Sequence, residues 1–102
     1  MRRNVVVGDE VARLMRKHAH AEFPARLRGD AINGVDLVAL EADIVGCVQG
    51  WRSGSGALDD DLAKSLTQRI EELDALMPLL TSRVEVLYFE RLCQLAVVVL
   101  DS

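Results

Sequence analysis

The chain has 102 residues and a formal charge of -4, a size that buries roughly two-thirds of its unfolded surface around one modest core. Half of the residues are hydrophobic but only 4% are aromatic, so the core is aliphatic and disorder is not expected. Residues 1–52 carry eight Lys/Arg against seven Asp/Glu and residues 53–102 carry four against nine, so neither half has the basic footprint of a nucleic-acid binder.

In chain order, "GDEVARLMRKHAHAEFP" predicts a first helix. Asp9 is its expected cap, Val11, Leu14, Met15, His18 and Ala19 recur at helical spacing, and Pro24 stops it. Residues 1–8 would then form an N-terminal arm. "ARLRGDAINGV" is a connection with two turn dipeptides, Gly29-Asp30 and Asn33-Gly34. A tight hairpin fits the second dipeptide, although the runs beside it are short for strands.

The second helix is expected from Asp36 to about Trp51, with Leu37, Leu40, Ile44, Val48 and Trp51 as its apolar stripe. A separate line, Ala42, Gly46 and Gly50 with Ala39 beside it, recurs every four residues. Such a row admits a second backbone at close range, and glycine costs up to about 1 kcal/mol inside a helix. A tight crossing is therefore expected there, within the chain or between chains. Trp51 closes this helix either as a core lid or as an exposed anchor.

After the "RSGSGAL" loop, Asp59 or Asp60 caps a third helix that presents Leu62, Leu66, Ile70, Leu73, Met77 and Leu80 and ends near Pro78. "SRVE", Ser82 to Glu85, has capping-box spacing and opens the fourth. That helix carries two apolar stripes. One is Val84, Leu87, Tyr88, Leu92, Leu95 and Val99; the other, almost opposite, is Val86, Phe89, Cys93, Val97 and Leu100. A helix so apolar is central to its fold or covered by another chain. Val97-Val98-Val99 also suits a strand pairing with Val5-Val6-Val7, but helical spacing continues through it. The expected architecture is a single domain, residues 1–102, folded as an all-α antiparallel four-helix bundle.

No catalytic, cofactor-binding or metal residues are expected. Asp43 and Cys47 share a helix face, yet a carboxylate beside a thiol opposes thiolate formation. Asp36 fits a cap, and Asp43 an arginine partner, better than an acid–base pair. His18 and His20 point apart on a helix, and His18 with Glu22 lacks further zinc ligands. Gly54-Ser55-Gly56 has no Lys-Ser/Thr after it and three aspartates where a phosphate would sit. Arg2, Arg3, Arg26 and Arg28 offer a small basic patch without an aromatic platform. The first apolar run is too short for a signal peptide, and Asp36, Glu41 and Asp43 interrupt the longest one, so neither export nor a membrane span is expected. The cytoplasm, with both thiols reduced, is the expected location.

The run "GVDLVALEADIVGCVQGW", with "ALDDD", "ELDALMPLL" and "YFERLCQLAVVVLD" after it, resembles a group of small uncharacterised proteins of high-GC actinobacteria. The resemblance implies a cytoplasmic protein and carries over no catalytic residue. The function expected from the residues is association, most simply a homodimer through Val86, Phe89, Cys93, Val97 and Leu100. One alternative is an acidic accessory or immunity-like inhibitor of a basic protein. Another is a ligand-binding or enzymatic bundle using Asp43 and Cys47, weak candidates to which Trp51 adds a third.

Overall fold

Nothing between Arg2 and Gly8 breaks a helix: there is no proline, and the one glycine costs about 1 kcal/mol. In the computed structural model, which describes residues 2–29, 31–54 and 58–102, helix α1 accordingly spans Arg2–His20. The N-terminal arm expected for residues 1–8 is thus helix from Arg2 on, and Asp9 lies inside α1 rather than capping it. Val5-Val6-Val7 is helical and pairs with no strand. Lys17, His18 and His20 fill the last turn of α1, where positive charge suits the helix dipole.

The connection to α2 is built, not slack. A 3-10 turn at Ala25–Leu27 buries Leu27 completely. Two short antiparallel strands follow, β1 (Ala31–Ile32) and β2 (Val35–Asp36), in the register Ala31 to Asp36 and Ile32 to Val35. Asn33 and Gly34 between them both have positive φ, 55° and 77°, the conformation a type I′ hairpin demands and Asn-Gly supplies. Asp30 lies outside the described residues.

Helix α2 spans Leu37–Ser53. The Asp36 carboxylate caps it, accepting from the amides of Val38 and Ala39 at 3.0 and 3.2 Å. Its buried residues are Leu37, Leu40, Ile44, Val48 and Trp51, the stripe read from the spacing, so Trp51 is core. Helix α3 spans Asp60–Leu76, and Asp59 Oδ1 accepts from the Leu62 amide at 2.7 Å. It buries Leu66, Leu73 and Leu76 and gives way to a 3-10 turn, Met77–Leu79, at Pro78. Ser55 and Gly56, of the loop that lacks the marks of a phosphate cradle, lie outside the described residues.

Helix α4 spans Arg83–Leu100, Val97 to Val99 included, and Ser82 Oγ accepts from the Glu85 amide at 3.1 Å. It packs against all three other helices. That contradicts two expectations for its faces. Phe89 is fully buried core and no part of an outward interface, while Val84, assigned to the inward stripe, is 68% exposed and Leu87 is exposed as well. Neighbours on several sides merge the two stripes into one broad buried arc of Tyr88, Phe89, Leu92, Leu95, Ala96 and Val99. Val86, Cys93 and Leu100 are half-buried at its border, and Val97 is 38% exposed.

Cross-helix contacts fix the directions. His18 on α1 meets Tyr88 on α4, and Arg13 and Leu14 share a groove with Gln94, so α1 and α4 are antiparallel. Asp43 meets Arg69 and Cys47 meets Ser65, so α2 and α3 are antiparallel too. The fold is an all-α antiparallel four-helix bundle measuring 41 × 26 × 19 Å. No helix among the described residues is long and apolar enough to cross a membrane.

Candidate functional site

Three helices and the connection after α1 bring the main polar cluster together. His18 comes from the last turn of α1, Glu41 from the second turn of α2 and Tyr88 from the second turn of α4. Each stands on or beside the apolar stripe of its helix, so burying the stripe carries the polar group inward. The Tyr88 hydroxyl donates to Glu41 Oε2 and lies 3.3 Å from His18 Nε2. His18 Nε2 is also 3.6 Å from Glu41 Oε2.

The proton assignment follows from what each group can do. An ionised carboxylate only accepts, so the tyrosine proton goes to Glu41. Tyr88 Oη can then accept from His18, which puts the imidazole proton on Nε2. This leaves Nδ1 as a bare lone pair, buried and without a hydrogen-bond partner. Burial pulls the His18 pKa below its ordinary value, although the Glu41 charge pushes the other way. Burial also raises the Tyr88 pKa, and the bond to Glu41 and its charge add to that. At neutral pH His18 and Tyr88 are therefore both uncharged.

The aromatic residues gather at the same place. Tyr88 packs edge-on against Phe23 and Phe89, with ring centroids 5.5 and 5.1 Å apart. Both phenylalanines and the single tyrosine of the chain thus form one cluster. A cleft of about 380 Å³ opens beside it. Met15, Val45 and Phe23 supply apolar wall, while His18, Glu41, Tyr88, Gln49 and Arg28 supply polar groups. The Arg28 guanidinium carbon stands 5.3 Å from the centre of the Phe23 ring, a cation–π contact.

The residues singled out in the sequence are placed elsewhere. Asp43 is exposed and pairs with Arg69 Nη1 at 3.0 Å, the arginine partner expected of it. Cys47 is half-buried near Ser65, and burial pushes its thiol pKa up. Neither Asp43 nor Cys47 lines the cleft. Cys93 is likewise pushed up by burial. The indole nitrogen of Trp51 is buried without a partner. Ala42, Gly46 and Gly50 face outward, and a Cβ added at either glycine would meet nothing within 4 Å. Among the described residues no tight crossing uses that line.

Of the four arginines of the small basic patch, Arg26 binds Glu85 and Arg28 stands over Phe23, while the side chains of Arg2 and Arg3 lie outside the described residues. Arg13, Arg16, Lys17, His20 and Arg91 instead line a groove beside the end of α1. Glu22 is exposed and does not join His18; among the described residues no three His, Cys, Asp or Glu are placed to hold a metal ion.

Sequence reasoning missed Glu41 and Tyr88 as a unit. The available signal was three polar-tipped residues on otherwise apolar stripes, but only the packing of α1, α2 and α4 shows that they converge. No protein-family model, curated protein or solved structure matches this chain.

Proposed function

We propose that this protein acts by association with other protein, most simply as a homodimer, through the outward face of α2. The supporting observation is the line Ala42, Gly46 and Gly50, with Ala39 beside it: all four are exposed, and the glycines have open space above them. Two interior glycines forgo roughly 1–2 kcal/mol of helix stability relative to alanine. Packing among the described residues offers no reason for that loss. A second helix lying across Gly46 supplies one, because small residues let two backbones approach closely. Val38, 41% exposed at the start of the same line, adds apolar surface.

With α4 at the centre of the bundle, Phe89 is no part of such an interface. The reading places the protein in the cytoplasm, where its two free, half-buried cysteines stay reduced. Molar mass by light scattering across a concentration series tests it. The expected result is a shift toward twice 11.2 kDa as concentration rises; a constant mass of one chain at every concentration overturns the homodimer.

A second reading, an acidic accessory protein that binds a basic partner, is supported by α3. Asp59, Asp60, Asp61, Glu71 and Asp74 are all exposed there, while Arg69 is engaged by Asp43 and Glu72. Such a partner would co-purify at low salt and be lost at high salt.

A further inference from the structure

The geometry points to a binding site for a small zwitterion, an α-amino acid with an apolar side chain, in the cleft between α1, α2 and the connection that follows α1. Two charges share its opening without neutralising each other. Glu41 and Arg28 both line the cleft. Among the described residues, no lysine or arginine lies within ion-pair distance of Glu41, and no carboxylate within that distance of Arg28. They are also not bridged to each other.

Both charges are held by neighbouring groups, although Arg28 is exposed. Glu41 is 26% exposed, and one of its oxygens is held by the Tyr88 hydroxyl. Arg28 is held over the Phe23 ring, which itself packs on Tyr88. The two anchors therefore meet in one aromatic cluster. His18 beside them is kept neutral by its burial, so it does not cancel Glu41.

A ligand matched to this frame carries an ammonium group for Glu41 and a carboxylate for Arg28. Its remaining surface faces Met15, Val45 and Phe23, which calls for an aliphatic side chain. The volume, about 380 Å³, lies at the small end of the range for ligand pockets, which suits an amino acid better than a nucleotide. Gln49 at the rim offers one more donor and acceptor.

The test uses the full chain, isotope-labelled and titrated with three probes: L-leucine, L-leucinamide, which lacks the carboxylate, and 4-methylpentanoate, which lacks the amine. The expected result is saturable movement of the His18, Glu41 and Tyr88 signals with L-leucine, and binding at least about tenfold weaker for each of the other probes. Glu41→Gln, which keeps an acceptor for Tyr88, should remove the preference for the amine. Arg28→Met should remove the preference for the carboxylate. Equal binding of all three probes, movement confined to other residues, or no movement at millimolar leucine overturns the proposal. This outcome is separable from the association reading, because the probes report on the cleft at concentrations where the chain has one mass.

Discussion

Arg26 grips Glu85 with two parallel hydrogen bonds of 2.7 and 2.8 Å, fastening the connection after α1 to the first turn of α4. The Thr81 amide donates to the same carboxylate at 3.3 Å. Glu85 is buried while Arg26 is half-exposed, so the pair is satisfied from the wet side and costs little desolvation at the arginine. The guanidinium bonds hold the Glu85 pKa down at about 2, against the upward push of burial.

A carboxylate whose folded pKa is depressed contributes stability that is present above its unfolded value, about 4.5, and lost as pH falls toward about 2. Glu85→Gln should flatten the acid limb of the stability curve in that window. At neutral pH it should cost about 1.5–3 kcal/mol, the range for hydrogen bonds to charged groups. Urea unfolding of both proteins across that window measures the two effects.

His18 acts in a higher window. Its folded pKa lies below the unfolded value of about 6.5, so the unfolded chain takes up the proton first. Stability from the buried neutral ring is complete above that value and declines as pH falls below it. His18→Gln keeps an N–H donor for Tyr88 but does not titrate, and should lose this part of the pH dependence. Denaturant midpoints on either side of about pH 6.5 measure it.

Tyr88→Phe removes the hydroxyl that joins Glu41 to His18. Glu41 is partly exposed and can rehydrate, so the expected loss is about 1–2 kcal/mol rather than that of a stranded buried charge. Combining it with Glu41→Ala should cost less than the sum of the two single changes, because both break the same bond.

The two faces of α4 give a sharper contrast. Val97→Asp, at a position already 38% exposed, should cost no more than about 1 kcal/mol. Phe89→Asp puts an unpaired charge in the fully buried centre and should abolish cooperative folding. Thermal melts followed by circular dichroism distinguish them.

These positions also mark what the residues alone could convey. Helix spacing located α2, α3 and α4, and the caps at Asp36, Asp59 and Ser82 could be read because capping is a local interaction between neighbours in sequence. The Asn33-Gly34 turn was legible for the same reason. The start of α1 was not: Asp9 is a good cap residue, but nothing before it stops a helix. Which side of α4 faces inward depends on three helices placed around it, information that no single stretch contains. The His18–Glu41–Tyr88 cluster was hidden for that reason too, since 23 residues separate the first pair and 47 the second.

Gly46→Leu probes the outer face of α2 at the point where a partner helix would cross it. Within one chain the new side chain enters open space, and leucine is the better helix former by up to about 1 kcal/mol. In a dimer crossing at Gly46 it would force the two backbones apart. Light scattering and thermal melts of the variant and the original protein, at matched concentrations, are therefore the decisive comparison. With a crossing at Gly46, the variant stays monomeric where the original chain dimerises, and its fold is at least as stable. A variant that dimerises as the original does would contradict that crossing.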